Sequence, residues 1–524
     1  VNYSNAISSV TVDLADTSPQ AVGAGEGTDT ITNIENIIGS AYNDTFKVNY
    51  NANGTLDGGV TDNIGGDTVD YTTLDVDDVT VDKIISDFNT ATVTGDSANN
   101  TGIAGIINIT NTFINIENIT ASAGNDTITG NSSKNTIKGL AGDDFVEGGD
   151  GDDYLDGGTN TSVGDTVNYS TATESVSIDL GIDGIAQVVS VNQGSDTFVG
   201  IENVLGSKYA DTFKGNNLVS NTFNGGTVTI GGAENTNDEN DTVDYSSLTG
   251  VTDKVVVNLS NTTSANAIVV VSGITQNPDT LINIENVTGG AGNDTFTGND
   301  NSNILTGGTG DDYFYVKDAA ISGENDVIIG GNNTAVGDSV DFSQITNTKY
   351  FVDVDLASQK LLLKNSANSN AIVRNDNVSE IENITGTNNK DTIKGDASNN
   401  SINGAAGTDS IYGLAGDDII QGGDNTDNAT TSTQYEILDG GEGSDTIYGG
   451  AGNDSILGGA GDYADTLYGE AGNDIISGGS GNDKIDGGAD NDTLYGNSGE
   501  DEIIGGLGND TIRGGTESDI IYGD

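Results

Sequence analysis

Residues 440–522 are nine consecutive copies of one short unit, G-G-x-G-[N/S/D]-D-x-[I/L]-x, and this period constrains the fold more than any other feature. Eight copies are nine residues long and the third, residues 458–468, carries two extra. Position 1 is always Gly (Gly440, Gly449, Gly458, Gly469, Gly478, Gly487, Gly496, Gly505, Gly514). Position 6 is always Asp (Asp445, Asp454, Asp465, Asp474, Asp483, Asp492, Asp501, Asp510, Asp519), and position 8 is always Ile or Leu. The glycines permit a tight turn over the first six residues. The last three alternate around one apolar side chain, which suits a very short strand with one face buried. A single unit cannot bury that face or pair that strand, so the copies must stack.

Stacking sets each Asp above another, and like charges at strand spacing repel unless a cation lies between them. Carboxylates and backbone carbonyls are hard oxygen donors that suit Ca²⁺. The repeat therefore predicts an all-β chain, a parallel β-roll or β-solenoid that folds on calcium. Units such as GGAGNDSIL (449–457) and GGSGNDKID (478–486) resemble the nonapeptide of RTX (repeats-in-toxin) proteins. The resemblance implies that each unit makes half a coil. It also implies that ions sit between turns two units apart, held by the position-6 Asp and by carbonyls of the Gly-rich turn. In the tail these ligands are Asp445, Asp454, Asp465, Asp474, Asp483, Asp492, Asp501, Asp510 and Asp519, with Gly440, Gly449, Gly458, Gly469, Gly478, Gly487 and Gly505. Glu470 and Asn497 at position 2, and Asp490 and Glu517 at position 4, depart from the pattern and lower the occupancy expected at those turns.

The unit recurs upstream, at 121–129, 139–147, 148–156, 289–297, 307–315, 404–412 and 413–421. These copies add Asp126, Asp144, Asp153, Asp294, Asp312, Asp409 and Asp418 to the expected calcium ligands. Residues 39–47, 206–214 and 386–394 keep the Asp but lose the middle Gly; they are expected to stay solenoidal and bind calcium poorly. A longer period overlies the short one. Ile-Glu-Asn begins at Ile34, Ile116, Ile201, Ile284 and Ile381, each time preceded by an aromatic motif at Tyr3, Tyr71, Tyr169, Tyr245 or Phe342. The aromatics are read as core fillers of wider coils, and the Glu of Ile-Glu-Asn as an exposed residue between two buried ones. Between them run period-2 alternations such as Val10-Thr11-Val12-Asp13-Leu14. The expected division is five strand-rich modules, 1–62 (partial), 63–160, 161–236, 237–333 and 334–439, followed by the regular roll at 440–524. Residues 424–436 read as a loop off one face.

Composition narrows the function. Lys and Arg total 16 against 81 Asp and Glu, a net charge of −65. About 32 divalent ions would cancel it. Such a charge disfavours nucleic acid, and no apolar run reaches the length of a membrane span. His and Cys are both 0, which removes Ser-His-Asp and Cys-His machinery, His-based zinc sites and disulfides. The chain is accordingly not expected to be an enzyme. The expected function is that of a secreted, calcium-dependent structural solenoid building an extracellular surface layer, sheath or filament. Its expected partners are copies of itself and cell-surface polysaccharide bridged by calcium. The RTX resemblance implies type I secretion. Two other readings use the same repeats: the stalk of a calcium-dependent adhesin, and the secretion and folding module of a larger exported enzyme or toxin. Val1 and Asp524 fall inside repeats, which suggests a section of something longer or a mature product.

Overall fold

Each nonapeptide contributes one short strand, and consecutive units contribute to alternate sheets. In the tail Ile447, Leu467, Ile485, Ile503 and Ile521 stand in parallel register on one sheet. Leu438, Ile456, Ile476, Leu494 and Ile512 do so on the other. A unit thus pairs with the unit two further on, and two units close one coil. The strands behave as the alternation requires: Ile447, Ile456, Leu467, Ile476, Ile485, Leu494 and Ile503 are fully buried, while their immediate neighbours are less so. At roughly 1.5–3 kcal/mol for each buried aliphatic side chain, one residue per half coil gains appreciably only by continuous stacking.

This architecture comes from a computed structural model, which describes residues 1–48, 54–59, 66–72, 83–86, 90–96, 106–215, 219–226, 228–230, 233–235, 240–260, 265–271, 273–317, 325–424 and 435–523. Most of the loop expected at 424–436 lies outside the described residues. The chain forms two units, Val1–Asp244 with Asn277–Ile284, and Tyr245–Gln276 with Glu285–Asp524. Among the described residues the one helical element is a 3-10 turn at Ser366–Asn368.

In the first unit, Phe46, Val69, Ile119, Ile137, Leu155 and Phe198 form one parallel column. Strands Thr127–Thr129, Phe145–Glu147, Thr166–Asn168, Asn203–Leu205, Thr222–Asn224 and Asp279–Ile282 form a second ladder. The second unit holds the tail and repeats the scheme upstream, with Phe296, Phe314, Val340, Ile384 and Ile402 in one column.

The modules differ from a plain roll in one respect. Antiparallel excursions widen individual coils, as in Ala186–Ser190 with Gly194–Val199 and Lys254–Asn258 with Ala265–Val271. A three-stranded excursion joins Tyr350–Asp355, Lys360–Asn365 and Ala371–Ser379. The wider coils need larger fillers. Tyr71, Tyr169, Tyr245 and Phe342 are at most 1% exposed and Tyr3 is 8% exposed, so the aromatic motifs are core.

Candidate metal centres

The Gly-rich turn folds the position-6 Asp back into the coil. In the tail every one of these Asp residues but Asp510 and Asp519 donates its backbone N–H to Oδ1 of the Asp one coil further on. The donors run from Asp445 to Asp465 at 2.9 Å, Asp465 to Asp483 at 3.0 Å and Asp483 to Asp501 at 2.9 Å. On the other side they run from Asp454 to Asp474 and Asp474 to Asp492, both at 2.9 Å, then from Asp492 to Asp510 at 3.0 Å. Asp519 accepts from Asp501 at 3.1 Å. The same arrangement recurs in each unit upstream, from Asp126 to Asp144 at 2.7 Å and from Asp294 to Asp312 at 2.6 Å.

The second carboxylate oxygen is what a cation would serve. Oδ2 of Asp144, Asp153, Asp312, Asp409, Asp418, Asp445, Asp474, Asp483, Asp492 and Asp501 is buried and has no hydrogen-bond partner. Beside it lies a gap that only glycine tolerates. A Cβ on Gly440 would come within 2.2 Å of Asp445 Oδ2 and 2.5 Å of the Gly458 carbonyl oxygen. The carbonyls of Gly440, Gly449, Gly458, Gly469, Gly478, Gly487 and Gly505 all meet the preceding coil in this way. Along the turns, carbonyls stack as well: a Cβ on Gly443 would meet the Gly416 oxygen at 1.9 Å.

Among the described residues no three His, Cys, Asp or Glu side chains gather as a metal cluster. A bound ion must therefore draw on one or two carboxylates and several carbonyls, which is a donor set suited to Ca²⁺. These residues fit calcium: an orphaned anionic oxygen, a neighbouring carbonyl and a stack of turn carbonyls recur in many of the turns. Bound calcium would supply the positive charge that the buried carboxylates otherwise lack. Neighbouring unit charges at a strand spacing of about 4.8 Å repel by roughly 3–4 kcal/mol at an effective dielectric near 20.

Burial pushes these carboxyls up. Asp445, Asp483 and Asp492 are held at about 6, Asp312, Asp418 and Asp465 at about 7, and Asp144, Asp153 and Asp474 at about 8, in each case through loss of water first. Asp454 stands in register with Glu436, which burial also raises, to about 8. Asp510 and Asp519 are half-buried, toward the end of the stack.

Asp126 and Asp294, expected to be ligands like the rest, are built differently. Their Oδ2 atoms accept the position-2 N–H of their own turn, from Ser122 at 3.0 Å and Gly290 at 2.8 Å. Asp44, Asp211 and Asp391 in the weaker units are capped likewise by the N–H of Ser40, Ser207 and Thr387. The determinant is the backbone at position 2. In open turns it is left-handed, with φ of 109° at Gly441 and 113° at Gly479, which turns the N–H away from the carboxylate. Leu140, Ala405, Leu414, Glu470 and Asn497 take the same conformation without being glycine, at φ of 71–84°. Asp490 and Glu517 do so at position 4. The departures read from the sequence thus keep the turn's shape.

Among the described residues, four further acids at the ladder position keep an open oxygen although they escape the repeat pattern. Oδ2 of Asp67, Asp165 and Asp338 and Oε2 of Glu436 are buried without partners. In each case an insertion separates the acid from its Gly-Gly pair, so the nine-residue spacing hides it. The signal available was Gly-Asp just before each aromatic motif at Tyr71, Tyr169 and Phe342. The Glu of Ile-Glu-Asn also differs from expectation. Glu35 is exposed, but Glu285 is buried. Glu117, Glu202 and Glu382 accept the ladder N–H of Asp67, Asp165 and Asp338 at 2.8, 3.0 and 2.9 Å. The next ladder residue is then Asn, whose amide donates to the Glu backbone carbonyl: Asn135 to Glu117 at 3.1 Å, Asn303 to Glu285 at 2.8 Å and Asn400 to Glu382 at 3.2 Å. These steps are closed by a neutral amide where the tail presents a carboxylate.

One family profile agrees with this geometry. The profile of the RTX calcium-binding nonapeptide repeat (4 copies) matches residues 114–137, 129–161, 283–315, 385–420, 404–428, 436–463, 460–494 and 495–524. No curated protein sequence matches the chain. Among solved structures, a hyperactive, Ca²⁺-dependent, beta-helical antifreeze protein from an Antarctic bacterium is similar at 18% identity, over 74% of this chain and 80% of that one, with a TM-score of 0.16. The chain carries RTX calcium-binding nonapeptide repeats on an all-β parallel solenoid, and their number implies multiple calcium ions.

Proposed function

We propose that this protein is a secreted structural solenoid that folds on extracellular calcium and builds an assembly outside the cell, as a surface layer, sheath or filament. The observation that carries the reading is the distribution of the orphaned carboxylates. They recur within each unit, at Asp67, Asp144, Asp153 and Asp165 in the first and at intervals from Asp312 to Asp501 in the second. A catalytic metal is held at one place with an open coordination position, whereas ions spread along a stack serve folding. Calcium-binding extracellular modules work at about 10⁻⁴–10⁻³ M, a concentration found outside cells. A chain of net charge −65 would stay unfolded during export and close only when the ions arrive.

Outward-facing apolar side chains in the tail and in the strands just before it add a means of association. Ile419, Ile437, Leu457, Ile475 and Leu507 are 39–75% exposed on a surface otherwise rich in acids. Contact between copies, with calcium bridging acidic faces, uses both features. Electron microscopy of the protein in millimolar calcium and in chelator tests the proposal. The expected result is ordered assemblies in calcium that disperse in chelator. Single particles that never associate in calcium, at any protein concentration, would overturn it.

A further inference from the structure

One buried carboxylate pair already has its cation. The ladder passes from Asn303 to Asp326 and on to Asp376: the Asn303 N–H donates to Asp326 Oδ1 at 2.9 Å and the Asp326 N–H to Asp376 Oδ1 at 2.8 Å. This is the tail's arrangement. The difference lies at the second oxygens. Arg374 donates from Nη2 to Asp326 Oδ2 at 2.7 Å and from Nε to Asp376 Oδ2 at 2.6 Å. Its side chain is 10% exposed and those of Asp326 and Asp376 are 5% and 0% exposed, so the three groups are shielded together.

The sequence position of Arg374 explains how it arrives there. It stands two residues before the ladder Asp, the place held by Gly443 before Asp445 and by Gly472 before Asp474. Here the chain enters the coil from the antiparallel excursion of Lys360–Asn365 and Ala371–Ser379, through residues 366–375, which contain no glycine. The Gly-rich turn that would present carbonyls to calcium is replaced by a strand that presents a guanidinium. Arginine is well matched to such a pair, because it stays charged when buried and its planar fork reaches two carboxylates at once. Arg374 and Arg513 are the only arginines in the sequence.

We propose that Arg374 is a built-in cation that takes the place of calcium at the Asp326–Asp376 pair, so that the coils around 325–332 and 371–379 close without the metal. This segment would then be a calcium-independent start from which the calcium-requiring coils of the tail extend. A guanidinium also excludes the ion: with both Oδ2 atoms engaged, calcium would face a charge of its own sign.

Hydrogen exchange with mass spectrometry on the full chain, in calcium and in EDTA, tests this. In the unaltered protein, peptides covering 326–332 and 376–379 should keep their protection in EDTA to within threefold. Peptides covering 466–471 and 484–489 should lose at least tenfold. Arg374→Gln should lose at least tenfold protection at 326–332 in EDTA, recover it in calcium, and bind one more calcium per chain by equilibrium dialysis. Arg374→Lys should fall between the two in EDTA. Equal calcium dependence of both regions in the unaltered protein would overturn the proposal. So would an Arg374→Gln chain that stays protected in EDTA, or one that calcium does not restore.

Discussion

Removing calcium should make the fold depend on acid, in the direction opposite to ordinary acid denaturation. The perturbation is EDTA across pH 4.5–8.5. Without calcium, Asp474 and Asp144 are held at about 8 by burial. In the unfolded chain they titrate near the ordinary carboxylate value of about 4. The folded state therefore binds more protons than the unfolded state between these values, and stability falls as pH rises. It is fully present below about 4 and is lost as pH climbs through about 6 to 8. At about 1.4 kcal/mol per pH unit, each group lowers stability at pH 7 by roughly 4 kcal/mol relative to pH 4, because the unfolded chain has released the proton that the fold still holds. Two such groups already match the stability of an ordinary domain, about 5–15 kcal/mol. Asp445, Asp483 and Asp492, held at about 6, lie nearer to water and contribute less each. The assay is far-ultraviolet circular dichroism of calcium-stripped protein, with sedimentation to confirm dispersed chains. The β-signal should be strong at pH 5, weak at pH 8, and restored at pH 8 by millimolar calcium. A calcium-free signal that is flat from pH 5 to 8, or weaker at pH 5, would refute the reasoning.

Gly440→Ala places a Cβ 2.2 Å from Asp445 Oδ2 and 2.5 Å from the Gly458 oxygen; it should weaken calcium binding in the tail and lower stability by about 1–3 kcal/mol, whereas Gly523→Ala, with nothing within 4 Å, should leave both within error in a calcium titration followed by calorimetry. Leu414→Gly relieves a left-handed non-glycine residue at φ 82° whose side chain is 40% exposed; the thermal midpoint in calcium should rise, corresponding to about 1 kcal/mol. Asn303→Asp replaces an amide that donates to the Glu285 carbonyl at 2.8 Å with a carboxylate beside Asp326; it should cost about 2–3 kcal/mol in EDTA by chemical denaturation, with part of the loss recovered in calcium.

Much of this protein is readable from its letters. Position 8 is always aliphatic because one side chain per half coil must fill the core, and Ile447 through Ile503 do so at 0% exposure. Position 1 is Gly because the Asp of its own turn and a carbonyl of the next coil occupy the space of a Cβ. Position 6 is Asp because its Oδ1 joins coil to coil and its Oδ2 awaits a cation. A local period records these features because the same contact recurs every two units. The RTX repeats and the calcium follow from it.

The rest required the stacked chain. Asp67, Asp165, Asp338 and Glu436 enter the ladder across insertions of different length, and only the coil brings them into line with the regular copies. Asp126 and Asp144 look alike in the sequence, yet one is capped by its own turn and the other is open. The choice lies in the φ angle at position 2, which Leu140 adopts at 84° without being glycine. Arg374 meets Asp326 from 48 residues away. The sequence alone determined that the chain must stack and that its turns carry acids. Which of those acids keep an oxygen free for calcium was decided by the tertiary structure, because a carboxylate's partners are set by the N–H or guanidinium that the neighbouring coil or its own turn aims at it.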